Sequence, residues 1–273
     1  MLLDPTIKSG ESHSTVANVP DLRAFVHAVL DYTGADQVDV IGHSLGTTLT
    51  REWMRQDDAH HLVRTLIGVD GPNHGIINCS PDVGNYFAQP AAGGFDPDSA
   101  VCVEYGASDT PFLTTLNADD ETPGSTRYVM IVNADVSFVY VSAQDGAFPA
   151  VPAQNRRGEP EDFSQSARLA GAEIIEVTGQ GAYDDTLFTA HIGIVNSPEV
   201  WALALEALTS DVDAPAEPAD GGAPAPSAAP EPADESSPEA ASGLPATGGG
   251  AALAGLVLLG AATRRPRASR RTA

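Results

Sequence analysis

The stretch that most constrains this chain is Val38-Asp39-Val40-Ile41-Gly42-His43-Ser44-Leu45-Gly46-Thr47-Thr48. Val38, Val40 and Ile41 are apolar and β-branched, as a buried strand of a parallel sheet requires. Leu45 to Gln56 reads as a helix that ends in polar residues and two histidines. Gly42 and Gly46 leave room between strand and helix for a sharp turn with Ser44 at its apex. A Gly-x-Ser-x-Gly turn in that context lifts a hydroxyl out of the fold on strained backbone, above a helix N-terminus. The pentapeptide alone is weak evidence. The strand before it and the helix after it make Ser44 a nucleophile rather than part of an incidental Gly-rich turn.

The remaining elements fall around this turn. Asn18 to Tyr32 reads as a helix with Leu22, Phe25, Val26, Val29 and Leu30 on one apolar face, closed by Gly34. Residues 1–17 have no clear period. Leu66 to Val69 is a second short strand, followed by the loop Asp70-Gly71-Pro72-Asn73-His74-Gly75. Residues 76–108 read as a long loop, and Thr110-Pro111 opens a short helix through Leu116. Tyr128–Val132 and Ile174–Val177 are two further strands. Ser197 and Pro198 are an N-cap and first-turn proline for a last helix to about Leu208, with Val200, Leu203, Ala204 and Leu208 facing the core. Strands alternating with helices predict an α/β fold with a mostly parallel sheet flanked by helices. Ligands in such sheets sit at the C-terminal ends of strands, where Ser44 and the residues after Val132 and Val177 lie.

Charge and the C-terminus constrain partners. A net charge of −23, from 37 acidic against 14 basic residues, excludes a phosphate-neutralising surface and hence nucleic acid as a partner. Residues 211–243 are rich in Ala, Pro, Glu, Asp, Ser and Gly and contain no base, the composition of an extended linker without a core. Then come Leu244-Pro245-Ala246-Thr247-Gly248, an apolar run from Ala251 to Ala262, and five closing arginines. The run is short beside the ~20 residues of a membrane span; taken alone it is a marginal anchor with a positive cytoplasmic end. The whole arrangement resembles a Gram-positive sortase sorting signal. The resemblance implies secretion, cleavage between Thr247 and Gly248, transient membrane contact through 249–262, and covalent attachment of Thr247 to cell-wall peptidoglycan. Residues 1–210 would then be the folded domain, 211–243 the wall-spanning stalk and 244–273 the sorting signal. Cys79 and Cys102 lie in one Gly/Pro-rich excursion, which fits a loop-closing disulfide or two free thiols equally well. The oxidising compartment implied by the sorting signal favours the disulfide.

A serine nucleophile needs a base, and the base an orienting acid. Among seven histidines, His13 and His27 precede the serine, and His43 lies inside the turn. His60 and His61 end a helix, and His74 comes early. His191, in Thr189-Ala190-His191-Ile192-Gly193-Ile194, follows the last strand and precedes the last helix, the position expected of the base in the chain order Ser, acid, His. The acid is expected after the third strand. Asp135, three residues beyond Val132, is favoured; Asp145, in Gln144-Asp145-Gly146, is the alternative.

Residues 19–209 resemble the class 2 secreted bacterial lipases and their esterase relatives. The residues that carry the likeness are Val38–Gly46, Pro72-Asn73-His74-Gly75, Phe112-Leu113 with Leu116-Asn117, Glu121-Thr122-Pro123-Gly124, Leu169–Glu173 and His191-Ile192-Gly193. The resemblance implies an α/β-hydrolase fold, a triad of Ser44, Asp135 and His191, and ester hydrolysis with no metal or cofactor. The stretch between Asp135 and Leu169 is longer than usual, which keeps Asp145 in play. The Leu45 N–H would be one oxyanion-hole donor. The fold's early strand with its His-Gly loop, the source of the second donor, is not legible in residues 1–17, nor is a secretory leader. The expectation from these two gaps is a chain truncated at its N-terminus, its reading frame continuing upstream of Met1. The sequence thus predicts a wall-displayed serine esterase or lipase acting on an ester or lipid. The alternative is a hydrolase-like binding or adhesion module that has lost catalysis.

Overall fold

The computed structural model describes residues 14–81, 95–134, 154–178, 189–210 and 257–261. Asp135, Asp145, Thr247, Gly248 and the expected boundary at 243/244 lie outside the described residues, and the described stretch 189–210 ends at Ser210, before the expected boundary at 210/211. In chain order the elements are α1 (Thr15–Thr33), β1 (Val38–His43), α2 (Leu45–Asp57), β2 (Val63–Val69), α3 (Ala100–Tyr105) and α4 (Pro111–Leu116). They continue with β3 (Arg127–Asn133), β4 (Glu173–Val177), α5 (Thr189–Asn196), α6 (Pro198–Thr209) and β5 (Val257–Ala261). Short 3₁₀ turns cover Ala59–Leu62 and Ile77–Cys79.

The sheet order is β4-β3-β2-β1-β5. The first four strands pair in parallel, as the alternation of strands and helices predicts. Side chains alternate across the sheet because successive strand residues point to opposite faces. Val38, Val40, Leu66, Tyr128, Met130 and Val132 face α1 and α2, where Trp53, Met54, Val19 and Val26 complete the layer. Ile67, Val69, Val129, Ile131 and Val177 face α5 and α6, where Ile194, Val200 and Ala204 meet them. Leu203 and Leu208 pack against the same layer.

Three sequence expectations are corrected. α1 begins at Thr15, not Asn18: Ser14 Oγ accepts from Ala17 N at 3.3 Å, and Glu104 takes the Thr15 N–H at 2.7 Å, so a distant carboxylate satisfies N-terminal donors that no periodicity could reveal. Phe25 is 52% exposed, while Val19, Leu22 and Val26 are buried. The contact stripe passes to one side of Phe25 because α1 lies on the sheet face along the line through residues 19, 22 and 26. The stretch 76–108 contains α3 and the 3₁₀ turn 77–79, joined by the Cys79–Cys102 disulfide, with a Cα–Cα distance of 5.4 Å. The disulfide expectation therefore holds. His191 follows β4 and precedes α6 as expected, and lies in a helix of its own, α5, which ends at Asn196.

β5 comes from the apolar C-terminal run. It pairs antiparallel with β1, from Val38 opposite Ala261 to Gly42 opposite Val257. An edge strand carries unpaired N–H and C=O groups, and the segment Val257-Leu258-Leu259 supplies partners for them. Among the described residues no helix is long and apolar enough to cross a membrane.

Candidate active site

Ser44 links β1 to α2 with φ 57° and ψ −131°, a left-handed conformation that costs a non-glycine residue about 1–3 kcal/mol. Three contacts hold it there. Ser44 N donates to Val69 O at 2.9 Å, Thr47 N donates to Ser44 O at 3.0 Å, and Thr47 Oγ1 donates to Gly42 O at 2.7 Å. The strand and helix approach so closely that a Cβ on Gly42 would stand 2.8 Å from Gly46 C, Gly46 O and Thr47 N. This is the structural reason for the first glycine of the motif. Leu45 opens α2, so its N–H is one of the four helix donors without an intrahelical acceptor, as an oxyanion donor must be.

His191 reaches the C-terminal edge of the sheet from α5 and is 2% exposed. Its ring lies against that of His43, the last residue of β1, with centroids 4.4 Å apart and planes tilted by 33°. His43 Nε2 donates to the His191 carbonyl at 2.9 Å. His43 therefore braces the backbone that carries His191. Burial lowers the pKa of His191 from 6.5 to about 3; burial, and then the neighbouring His191, does the same to His43. Both imidazoles are neutral at pH 7, and a neutral imidazole is the form that can accept a proton from a hydroxyl.

The carboxylate that the described structure brings to this histidine is Asp70, which the sequence reading assigned only to a loop. Asp70 Oδ2 stands 3.8 Å from His191 Nδ1, and both side chains are almost fully buried. Asp70 follows β2 directly and has a positive φ of 45°. Its N–H donates to Ile131 O at 3.0 Å, and its Oδ1 accepts from Asn133 N at 2.9 Å. Burial raises its pKa from 3.8 to about 6, against the opposing pull of the Asn133 N–H and of His43. Asp70 directly follows the strand that neighbours β1, at the edge where Ser44 sits.

A second polar network fixes the loop after Asp70. It explains the motif residues Pro72–Gly75, Asn117 and Glu121. Arg51, on α2 and 4% exposed, donates to Asn73 Oδ1 at 3.1 Å, Asn117 Oδ1 at 2.9 Å and Glu121 O at 3.2 Å. Burial lowers its pKa from 12.5 to about 10, so it stays charged at neutral pH. Asn117 Nδ2 donates to Asn73 O at 2.8 Å, and Ser166 Oγ to Gly75 O at 2.6 Å. His74 Nε2 lies 2.8 Å from Glu121 Oε1, so His74 serves this network rather than Ser44. His60 lies beside Tyr128, its Nδ1 3.3 Å from the phenol oxygen. Among the described residues no group of three or more His, Cys, Asp or Glu side chains is placed to hold a metal ion.

A parallel sheet with helices on both faces, and a strained serine at a strand–helix turn on the same edge as a buried histidine, define an α/β-hydrolase. The chain belongs to the class 2 lipase family: the family described as Lipase (class 2) matches residues 4–158, more than half of the 273 residues. Family membership makes it a hydrolase of the ester-cleaving kind. Similar solved structures include the mature form of Bacillus licheniformis lipase BlEst2, at 18% identity over 74% of this chain and 76% of that one, with a TM-score of 0.41. Aspergillus fumigatus lipase B is 15% identical over 73% of this chain, with a TM-score of 0.43. The present chain spans 43% of that fungal lipase's length.

Proposed function

We propose that this protein is a serine carboxylic-ester hydrolase that works through an acyl-enzyme. Ser44 Oγ attacks the ester carbonyl while His191 takes its proton; the Leu45 N–H stabilises the oxyanion. His191 then returns the proton to the leaving alcohol. In the second half-reaction the imidazole deprotonates water, which attacks the acyl-serine and releases the acid. The sequence assigns the supporting acid to Asp135, with Asp145 as the alternative. The observation that carries this reading is Ser44 itself, a buried serine at positive φ on a strand–helix turn inside a lipase-family chain. Turnover of short-chain p-nitrophenyl esters, compared between the parent chain and Ser44→Ala, tests it. Equal rates in the two would refute the assignment.

We also propose display on a Gram-positive cell wall, from the Leu244–Gly248 motif, the apolar run and the arginines after it. Cleavage after Thr247 would remove β5 together with five arginines, so that β5 pairs with β1 only in the uncleaved chain, and would take the formal charge from −23 to −28. Incubation with a purified sortase and a glycine-based nucleophile should yield a product ending at Thr247 linked to that nucleophile. An unchanged intact mass would overturn the proposal.

A further inference from the structure

We propose that Tyr105 is a positioning residue for the oxyanion donor. Its phenol hydroxyl fixes the first turn of α2, whose opening residue, Leu45, supplies the N–H for the oxyanion. The inference rests on the serine-hydrolase reading above and adds to it a residue that acts through Thr48 rather than on the substrate.

The observation is a chain of three buried hydroxyls. Tyr105 closes α3 and is fully buried, as is Thr48 on α2; Thr15, the first residue of α1, is almost as deeply buried. The Tyr105 phenol oxygen lies 2.6 Å from Thr48 Oγ1 and is also hydrogen-bonded to Thr15 Oγ1. Thr48 Oγ1 in turn lies 3.1 Å from the Leu45 carbonyl oxygen. These contacts fix the direction of each proton. A carbonyl can only accept, so Thr48 gives its one hydroxyl proton to Leu45 O. Tyr105 must therefore donate to Thr48, and Thr15 to Tyr105. In a site without water, hydrogen bonds aligned in this way polarise and strengthen one another. Packing alone would be served by Phe at 105, since a buried hydroxyl is costly unless it is partnered.

The end of the chain is where chemistry enters. The Ser44–Leu45 peptide carries the Leu45 N–H, and its oxygen is held by Thr47 N at 3.0 Å. The peptide after Leu45 is held at its oxygen by the Thr48 hydroxyl. Both ties come from α2 itself and would move with the helix. Tyr105 ties the same turn to a different part of the chain, and its own place is well fixed. Tyr105 O accepts from Ile76 N at 2.9 Å, and Cys102, three residues earlier, is bridged to Cys79. The Phe112 ring stands edge-on to the phenol ring, with centroids 5.2 Å apart. Leu45 packs its side chain against the same apolar cluster. The oxyanion donor is thereby located against the disulfide-closed excursion as well as against the strand–helix turn.

Tyr105→Phe deletes the hydroxyl and keeps the ring. In the full chain, reactive Ser44 is counted with a fluorophosphonate and kcat is expressed per titrated site. Removing an oxyanion donor outright costs about 10²–10³-fold in kcat; a loosened donor loses part of that, so Tyr105→Phe should fall about 5–30-fold per site with KM little changed. Inhibition by an alkyl trifluoromethyl ketone reads the oxyanion directly. Ser44 Oγ bonds to its carbonyl carbon, the hydroxyl proton passes to His191, and the carbonyl π pair becomes a lone pair on the alkoxide oxygen. Tyr105→Phe should weaken this inhibitor by the same factor as kcat/KM, while the matching methyl ketone, bound without an adduct, inhibits parent and variant equally. Thr48→Ala cuts the chain at its last link. It should reproduce both effects, and the double variant should be no worse than either single one. A residue that only supported the fold would lower the number of titrated sites and leave kcat per site intact. That result, equal weakening of both ketones, or additive losses in the double variant overturns the proposal. If Tyr105→Phe gives no titratable protein, Thr48→Ala with the two ketones decides the question. A parent no faster than Ser44→Ala defeats the hydrolase reading itself; a parent that is faster leaves these variants to judge Tyr105 alone.

Discussion

Replacing Asp70 by Asn makes stability depend on pH in a way the buried site dictates. In the folded chain Asp70 titrates near pH 6 because burial disfavours its charge; in the unfolded chain it returns to 3.8. Between about pH 4 and 6 the folded state therefore holds a proton that the unfolded state has released. The stability contributed by that proton is fully present below pH 3.8 and is lost as pH rises through 6. At 1.36 kcal/mol per unit, the shift amounts to about 3 kcal/mol. Asn keeps the shape and the acceptor for Asn133 N but carries no ionisable group. The depressed values of His43 and His191 act in the opposite sense, costing stability as pH falls from 6.5 toward 3; they are common to both proteins and cancel to first order in the difference. Asp70→Asn should thus gain about 3 kcal/mol relative to the parent between pH 4 and 7. Urea unfolding followed by the fluorescence of buried Trp53 at several pH values would measure it. A difference that does not change with pH would refute the reasoning. A difference that falls with rising pH would mean that a charged His191 holds Asp70 ionised.

Three further outcomes are expected. Removing the disulfide by Cys79→Ala with Cys102→Ala opens a loop with a sequence separation of 23 and should cost about 3.4 kcal/mol, read as a lower urea midpoint; an unchanged midpoint would contradict this. Gly42→Ala drives a methyl into the backbone of Gly46 and Thr47, so it should cost about 1–3 kcal/mol and slow fluorophosphonate labelling of Ser44; full labelling at the parent rate would contradict it. Arg51→Leu removes the donor from Asn73, Asn117 and the Glu121 carbonyl together, at about 3–5 kcal/mol by thermal unfolding, and a loss under 1 kcal/mol would show the network to be dispensable.

How far the sequence could be read depended on whether a signal was local. Ser44 announced itself because strand, glycine turn and helix are contiguous, and β1, β2, β3, β4 and α6 followed from apolar runs and a cap. His191 was reachable by chain order, although its helix was not, since Thr189-Ala190-His191-Ile192-Gly193 carries no clear start signal. The approach of Asp70 to His191 is not legible in the sequence because it is a tertiary contact. The residue that faces it is far along the chain, and in sequence Asp70-Gly71-Pro72 reads as an ordinary turn. The N-terminus of α1 was missed for the same reason, as Glu104 lies 89 residues from the N–H it receives. The run 251–262, short for a membrane span, reads in sequence as part of a sorting signal. Residues 257–261 pair with β1, because a short apolar segment satisfies an open strand edge as readily as it meets lipid.

The most direct test is covalent capture of the nucleophile. The parent chain, Ser44→Ala and His191→Ala are each exposed to a fluorophosphonate, digested, and mapped by mass spectrometry. The expected result is a single phosphonylated peptide containing Ser44 in the parent, none in Ser44→Ala, and labelling slowed by orders of magnitude in His191→Ala. A parent chain that takes up no label at Ser44, or a Ser44→Ala chain labelled as fast as the parent, would contradict it.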